Sequence, residues 1–339
     1  MNILFRCDGS VEIGMGHVVR CLALADHLRD SHDCSIQFAM RRSGLGIKKV
    51  KETYPVFQSN EKDFNYKEWL TDCIEKTKSK VLIMDMRDDL TRDQLKSIKK
   101  KTRIKVVTID DPEDKRLEAG LAFYPPIPQL EKMNWNEFKG DLYVGWEFAI
   151  LRKEFLIKYP KSNNAKPNIL VSMGGTDENN MTELVINSLN KINENFKATI
   201  IVGVGYPYLN QLKYRLEEVQ FEYELYQNPK NIAEVMSTTS CAIISFGQTA
   251  YELAALNIPA LYLCLTNDHE DSAQLFIKEG IGQLLGIYSD VKHHEIVEAI
   301  THLLIENEVI EKMSNCAKSL NNSSLNKISQ LILKERVYA

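Results

Sequence analysis

The chain has 339 residues, a formal net charge of −4 and 26% charged residues, an ordinary composition for a soluble globular protein. This chain is longer than most domains that have a single hydrophobic core, so we expect two domains. The charge gives no reason to expect nucleic acid as a partner, and no segment approaches the roughly 20 apolar residues that span a bilayer. The seven cysteines form no close pairs of the kind that zinc sites use, and their odd number argues against a disulfide framework. We therefore expect a cytoplasmic protein.

In the first half of the chain, short β-rich runs alternate with amphipathic helical stretches, which is typical of a mainly parallel α/β sheet covered on both faces. The predicted strands are residues 2–6, 35–39, 81–85, 104–109 and 121–124. The predicted helices are residues 16–29, 66–77 and 92–100. A run of lysines at 99–101 closes the last helix, where cations suit the helix dipole and face water.

A polar stretch at 159–167, flanked by prolines, predicts a linker between a first domain at 1–160 and a second at 166–339. The alternation then restarts, with predicted strands at 168–172, 199–204, 221–224, 241–245, 260–264 and 282–285. The predicted helices are 179–192, 232–237, 249–256, 271–279 and 293–305. A last helical stretch at 322–336 could return to the first domain. Two successive Rossmann-like sheets predict a cleft between them, with ligands at the carboxyl ends of the strands.

A glycine-rich turn follows the first strand and contains Asp8, Gly14, Gly16 and His17. Glycines between a strand and a helix let the backbone turn tightly and approach a ligand closely. The helix that begins there offers free amide groups and a positive dipole end. His17 lies in its first turn, where the side chain could act as a general base. The alternative is that His17 is only a structural residue of the helix start.

A second glycine loop, Gly174, Gly175 and Thr176, follows the first strand of the second half. Again a strand leads through small residues into a helix, as an anion-binding site requires. Asp177 comes next, and we expect it to cap that helix.

A third junction of this kind contains Ser245, Gly247, Gln248, Thr249 and Glu252. One interpretation is a capping box, with the Thr249 hydroxyl at the cap and the Glu252 carboxylate reaching back. The functional interpretation places the amides of Gly247 and Thr249 on a diphosphate and Glu252 on the ribose hydroxyls, since a carboxylate can accept two hydrogen bonds. Because the same chemistry recurs at three strand–loop–helix junctions, we favour the functional interpretation.

A fourth polar stretch, residues 266–271, includes Asn267 and could meet a sugar. Its Asp, His and Glu residues have neither the spacing nor the second histidine that a metal site needs, so we expect no metal. We also expect no cofactor.

Acidic residues end two strands of the first half, at Asp85 and at Asp110–Asp111. Acidic residues at such positions either hold loops or cap helices, or they belong to a functional site. The sequence alone does not decide between these two roles. Arg87 could pair with an anionic substrate, or with Asp85 or Asp88.

Three segments carry a resemblance to a known family: FRCDGSVEIGMGHVVRCLALADHL near the start, VSMGGTD, and SFGQTAYELAALNIPAL. They resemble, in order, the motifs of the UDP-2,4-diacetamido-2,4,6-trideoxy-β-L-altropyranose hydrolases of pseudaminic acid biosynthesis. That family is similar in turn to MurG-like glycosyltransferases of the GT-B fold. The resemblance implies a GT-B-like α/β protein with two Rossmann-like domains facing each other across a cleft.

The resemblance further implies metal-independent hydrolysis of a UDP-sugar with inversion at the anomeric carbon. His17 falls on the family's catalytic histidine, which activates water, and Asp8, Gly14 and Gly16 would line the sugar side. The residues implied to hold the diphosphate and the ribose are Gly174, Gly175, Ser245, Gly247, Thr249 and Glu252.

The sequence departs from the family pattern at three positions where we expect sugar contacts. It has Asp85, Met86 and Arg87 where an aspartate followed by a tyrosine-bearing loop is usual. The other departures are residues 124–126, Tyr-Pro-Pro, in place of an Asn-Gln-Asn-like segment, and Asn267–Asp268 in place of an Asn-Gln pair. The identity of the sugar therefore stays open.

The leading hypothesis is a hydrolase of a UDP-linked amino-deoxy sugar, with the UDP-sugar as its only predicted partner. The alternative is a UDP-sugar-dependent GT-B glycosyltransferase, which would activate an acceptor hydroxyl instead of water. No apolar, basic-rimmed patch of a membrane-acting transferase is evident in the first half, which favours water. A third class is a nucleotide-sugar binding protein without catalysis. The oligomeric state cannot be inferred from the sequence.

Overall fold

The structure is a computed structural model, which describes residues 1–10, 14–41, 43–59, 64–160, 166–318 and 324–334. The chain divides into two compact units. The first comprises Met1–Arg152 together with the C-terminal stretch from residue 322, and the second comprises Lys153–Asn321. Each unit contains one parallel sheet with helices.

The first unit has a seven-stranded parallel sheet in the order β3-β2-β1-β4-β5-β6-β7. Its strands are β1 (Asn2–Cys7), β2 (Ser35–Met40), β3 (Val56–Gln58), β4 (Val81–Asp85), β5 (Lys105–Ile109), β6 (Leu121–Tyr124) and β7 (Asp141–Val144). Its helices are α1 (Gly16–His32), α2 (Gly44–Lys51), α3 (Tyr66–Thr77), α4 (Arg92–Thr102) and, from the end of the chain, α12 (Ser324–Leu333).

The central strand β1 shows why helices cover both faces of this sheet. Successive side chains of a strand point to opposite faces. Ile3 and Phe5 enter the core on the side of α1, whereas Leu4 enters the core on the side of α3 and α4. All three are fully buried, as expected for a strand in the middle of a parallel sheet.

Helix α12 packs against α1 and contributes Leu325, Ile328 and Ile332 to the first unit's core. Its C-terminal end is held by Lys105, whose Nζ donates to the backbone carbonyl of Ile332 at 2.7 Å. Longer contacts of 3.4 Å reach the carbonyls of Leu331 and Lys334. A lysine here satisfies carbonyls that have no partner within the helix and complements the negative end of the dipole.

Replacing Lys105 with methionine should lower the free energy of unfolding by about 1 kcal/mol, because the apolar stem is kept and only the cap is lost. Urea unfolding followed by circular dichroism measures this difference. Lys100→Met is the matched control, since Lys100 is exposed on α4 and makes no comparable bond to a helix end within the described residues. Equal unfolding midpoints for the two variants would contradict the assignment of Lys105 as a cap.

The second unit has a six-stranded parallel sheet in the order β10-β9-β8-β11-β12-β13. Its strands are β8 (Asn168–Ser172), β9 (Lys197–Val202), β10 (Glu222–Gln227), β11 (Cys241–Ser245), β12 (Ala260–Cys264) and β13 (Gly282–Ile287). Its helices are α5 (Met181–Leu189), α6 (Leu209–Leu216), α7 (Ile232–Ser237), α8 (Gln248–Leu256), α9 (Asn267–Lys278), α10 (His293–Ile305) and α11 (Asn307–Ala317). None of the helices in the described part of either unit is long and apolar enough to cross a membrane.

Five elements are absent from the sequence prediction: α2, β3, β7, α6 and α11. Strands β3 and β7 lie at the two edges of their sheet and are only partly buried, so they lack the continuous apolar run that marks an inner strand. Helix α2 has two glycines and three lysines in eight residues, which hides its apolar positions.

The two units separate between Arg152 and Lys153, ahead of the polar stretch at 159–167. A 3-10 helix at Lys153–Leu156 contacts α7 and α8, which attaches this segment to the second unit. Residues 161–165 of the polar stretch lie outside the described part of the chain.

Candidate functional site

In both sheets the strand order reverses next to the first strand of the unit, between β1 and β4 and between β8 and β11. Helices leave these neighbouring strands toward opposite faces, which opens a crevice at the carboxyl ends, the usual ligand position in doubly wound folds. His17 follows β1, and Asp85 is the last residue of β4. The glycine loop at 174–175 follows β8, and Gly247 follows β11.

In the first unit, His17 and Asp85 form a hydrogen-bonded pair. The Nδ1 atom of His17 lies 2.7 Å from Oδ1 of Asp85. An ionised carboxylate only accepts hydrogen bonds, so Nδ1 must carry the proton. In the neutral ring the lone pair is then on Nε2, which is the arrangement of a general base with a fixed orientation.

Arg20, one turn further along α1, holds the same carboxylate. Its Nε donates to Oδ2 of Asp85 and its Nη2 donates to Oδ1, both at 2.7 Å, in the bidentate geometry typical of strong arginine–carboxylate pairs. Its Nη1 donates to Oδ2 of Asp110 at 3.2 Å. Asp85 therefore accepts from both His17 and Arg20, and its side chain is completely buried.

The surroundings of Asp85 keep it ionised. Burial alone would raise the pKa of this carboxyl group. The charge of Arg20, the His17 ring and the hydrogen bonds from both outweigh burial, and they lower the pKa of Asp85 to about 2. The carboxylate is thus an anion at any pH at which the protein would work.

The described backbone around His17 leaves space beside two glycines. Gly14 has a φ of +75°, and a Cβ added at Gly14 or at Gly16 would meet no atom of the described residues within 4 Å. The N-cap residue of α1, Met15, makes no side-chain hydrogen bond to the first amides of the helix, and the first turn contains no acidic residue. Both features leave room and positive potential beside His17.

Asp8 is engaged in structural contacts. Its Oδ1 accepts from the backbone amide of Arg41 at 2.7 Å, and its Oδ2 lies 2.6 Å from Nη2 of Arg6. Burial raises the pKa of Asp8, and the interactions with Arg6 only partly offset this effect. The same Arg6 side chain binds Asp88 and the Tyr66 hydroxyl. Asp8 therefore fastens β1 to the loop after β2, and a catalytic role for it remains a prediction.

The other strand-end acids divide between the two roles. Asp110 belongs to the His17 network through Arg20. Asp111 is itself buried and accepts from the Glu113 amide at 2.9 Å; burial raises its pKa to about 6 despite the nearby Lys115. Arg87 is exposed and forms no ion pair with Asp85 or any other acid in the part of the chain that the structure describes.

In the second unit, the expected cap at Asp177 is confirmed. Its two carboxylate oxygens accept from the amides of Met181 and Thr182, both at 2.8 Å. These donors of α5 are thus occupied by a carboxylate. An anion at this junction must therefore use the preceding loop, where Gly174 and Gly175 are exposed and an added Cβ would meet nothing within 4 Å.

Helix α8 begins differently from the capping-box interpretation. Its cap residue is Gly247, which has no side chain with which to cap the helix, and Thr249 lies inside the first turn. Gly247 is extended and open on its Cβ side, and the first turn contains no acid. The start of α8 therefore suits a bound anion, whereas α3, α4, α7 and α9 each have a side-chain cap. Glu252 lies within α8 and is only 4% exposed.

The fourth polar stretch is mostly helix, not loop. Helix α9 begins at Asn267 instead of 271, because the Thr266 hydroxyl caps it by accepting from the His269 amide at 3.3 Å. Asn267 is exposed in the first turn. No group of three or more His, Cys, Asp or Glu side chains that could hold a metal ion occurs among the residues with described positions.

The sequence prediction did not connect His17 with Arg20 and Asp85. Two signals could have done so. Residues three apart on a helix share a face, which places Arg20 beside His17. Strand β4 pairs with β1, so that Cys7 lies opposite Asp85 and the carboxyl ends of both strands meet at one edge.

The chain was compared with known proteins. Residues 168–332 match the family model of the glycosyltransferase family 28 C-terminal domain. The UDP-2,4-diacetamido-2,4,6-trideoxy-β-L-altropyranose hydrolase of Campylobacter jejuni is 27% identical over 285 residues, which cover 83% of this chain and 97% of that protein. The predicted resemblance is confirmed.

Two further comparisons extend this result. An uncharacterized protein of Methanocaldococcus jannaschii is 28% identical over 331 residues, which cover 89% of this chain and 66% of that protein. The crystal structure of MurG from Acinetobacter baumannii matches with a TM-score of 0.73 over 98% of this chain and 99% of that chain, at 14% identity. This likeness supports the fold alone, and the fold is the predicted α/β, GT-B-like one.

Proposed function

We propose that this protein is an enzyme that hydrolyses a UDP-linked amino-deoxy sugar in a nonulosonate pathway of the pseudaminic acid type. The observation that carries this proposal is the 2.7 Å hydrogen bond between His17 and Asp85 at the carboxyl edge of the first sheet. The printed name of the Campylobacter jejuni relative, a UDP-sugar hydrolase, supports the same reaction.

In this mechanism His17 takes a proton from water through Nε2 while the water oxygen forms a bond to the anomeric carbon. The bond between that carbon and the UDP oxygen breaks, and UDP leaves with the electron pair. A single displacement of this kind inverts the anomeric configuration. Asp85 holds the ring and stabilises the imidazolium that forms, as a carboxylate does for a catalytic histidine in other hydrolases.

We assign UDP to the second unit. The loop of Gly174, Gly175 and Thr176 and the start of α8 at Gly247 would hold the diphosphate through backbone amides. The remaining residues that we assign to the UDP-sugar are Ser245, Gln248, Thr249, Glu252 and Asn267. Because helix dipoles and amides supply the positive potential, we propose that the reaction needs no metal.

A second candidate is a glycosyltransferase that uses the same UDP residues. The match of residues 168–332 to the glycosyltransferase family 28 C-terminal domain favours it, and so does the MurG-like fold. In that reaction His17 would activate an acceptor hydroxyl in place of water.

Incubation with a panel of UDP-sugars, without acceptor and with a chelator present, separates the two candidates. We expect rapid UDP release from at least one UDP-linked diacetamido sugar, with the inverted free sugar as the first product in anomeric NMR. Tight binding of the UDP-sugar without turnover would instead favour the transferase. Loss of activity with the chelator, restored by a divalent cation, would contradict the proposed metal independence.

A further inference from the structure

The loop after β9 lies directly against the glycine loop that we assign to the diphosphate. Gly203 is the first residue after β9. A Cβ added there would lie 2.1 Å from the carbonyl oxygen of Gly175 and 2.6 Å from its carbonyl carbon and Cα. All three obstacles are backbone atoms, so a side chain at 203 cannot be accommodated by a change of rotamer. The Gly175 peptide would have to move.

Three more residues of the segment 203–208 contact the stretch that follows Gly175. A Cβ at Gly205 would lie 3.0 Å from Cγ2 of Thr176. The Tyr206 hydroxyl donates to Oδ1 of Asn180 at 2.6 Å, and the Tyr208 hydroxyl donates to the backbone carbonyl of Glu178 at 3.0 Å. One segment therefore contacts the glycine loop at Gly175 and Thr176 and also the turn that follows it, at Glu178 and Asn180.

The opposite side of the glycine loop is open. Gly174 has a φ of +92°, a backbone conformation that residues with a side chain rarely adopt. Both Gly174 and Gly175 are exposed. Backbone amides bind a diphosphate well only when their peptide planes are fixed before the ligand arrives, because ordering a flexible loop costs binding free energy. Glycine residues cannot fix these planes by themselves, so the rigidity must come from a neighbour.

We propose that residues 203–208 act as a positioning segment for the diphosphate, with Gly203 setting the place of the Gly175 peptide. This inference rests on the proposed function, since it assumes that the glycine loop binds the phosphates of UDP. It goes beyond that function by assigning a role in phosphate affinity to residues that need not touch the ligand.

The test compares the dissociation constants of UDP and of uridine, measured by calorimetry and ligand-observed NMR. In Gly203→Ala we expect UDP to bind about tenfold or more weakly, as after the loss of one charge-assisted hydrogen bond, and uridine to bind as in the wild type. Gly205→Ala is the graded comparison, because its added methyl group would lie 3.0 Å from the Thr176 methyl and 3.4 Å from the Gly175 carbonyl oxygen, which is much less crowded than the 2.1 Å at Gly203. It should weaken UDP binding less than Gly203→Ala does.

Tyr206→Phe is a second variant that adds no atoms and should fold normally, and it should also weaken UDP selectively. Equal weakening of UDP and uridine in Gly203→Ala and Tyr206→Phe would overturn the inference, since it would indicate general damage. Unchanged UDP affinity in both variants would overturn it as well. If the wild type binds no UDP, the proposed function fails together with the inference. If the wild type binds UDP and the variants do too, only the inference fails.

Discussion

Replacing His17 with asparagine is expected to slow UDP release by about 10²- to 10⁴-fold, the usual contribution of a general base. Asparagine keeps a polar side chain of similar reach but has no basic nitrogen to take a proton from water. Affinity for UDP should be unchanged, because the residues assigned to UDP belong to the second unit. Steady-state release of UDP and calorimetric binding of UDP measure the two quantities separately.

Two outcomes would contradict this expectation. Unchanged turnover in His17→Asn would remove the histidine from the mechanism and leave it as a structural residue of the helix start. A parallel loss of UDP binding and turnover would indicate damage beyond the reacting centre. A nucleotide-sugar binding protein without catalysis would bind the UDP-sugar and, unlike a transferase, would release no UDP even when acceptors are added to the wild type.

Much of the fold follows from local pattern alone. Strands β4, β6, β8, β11 and β12 and helices α3, α7 and α10 have the bounds that the sequence predicts. Each inner strand is a short apolar run bounded by polar residues, because a strand in a parallel sheet is buried on both faces. The edge strands β3 and β7 carry no such run, and no local pattern distinguishes them from loops.

The candidate site could be predicted only in part, because side-chain partners depend on strand order. The glycine turns at Gly14 and Gly174 are visible in the sequence, since tight turns between strand and helix require glycine. The partnership of His17 with Asp85, 68 residues away, requires β4 to lie beside β1. A different strand order would place another acidic residue beside His17. No local sequence pattern selects among the possible strand orders.

Capping is a second point where local pattern was insufficient. Thr249 and Glu252 have the spacing of a capping box, yet the helix begins one residue before Thr249 with Gly247 as its cap. Thr266, by contrast, caps α9 and starts it four residues earlier than predicted. The same residue types can cap a helix or lie within it. Whether such a residue caps the helix or lies in its first turn depends on the backbone conformation of the preceding residue. That conformation cannot be predicted from sequence spacing.

Replacing Asp85 with asparagine is expected to lower turnover by about 10²-fold or more, although Asp85 need not contact the substrate. In the wild type Oδ2 accepts from Arg20, and Oδ1 accepts from both Arg20 and His17. If the asparagine NH₂ group takes the place of Oδ2, it faces the Arg20 Nε–H, and two donors are opposed. If it takes the place of Oδ1, His17 can pair with it only by accepting at Nδ1, which moves the ring proton to Nε2 and abolishes the base. Neither orientation preserves the wild-type arrangement.

Asp88→Asn is the matched control for this variant. Asp88 lies three residues after Asp85 and is also paired with an arginine, Arg6, at 2.8 Å, but it makes no contact with His17 among the described residues. We expect Asp88→Asn to lose stability and to keep most of its turnover. If both variants lost turnover equally, the effect of Asp85 would be structural. NMR of the His17 ring nitrogens provides a direct check, since the proton should be on Nδ1 in the wild type and should move to Nε2 in Asp85→Asn molecules whose NH₂ group takes the place of Oδ1.

The difference in unfolding free energy between the wild type and Asp85→Asn should depend on pH, because only the wild type has a titrating carboxyl group at this position. The folded-state pKa of Asp85 lies at about 2, below its ordinary value of 3.8, so its ionisation stabilises the fold above pH 3.8. That contribution, about 2 kcal/mol, is lost as the pH falls through 2. Wild type and variant should therefore differ most in unfolding free energy at neutral pH, and the difference should narrow between pH 4 and pH 2. A difference that stayed constant over this range would mean that Asp85 is not held as an anion by Arg20 and His17, and the orientation argument for the general base would fail with it.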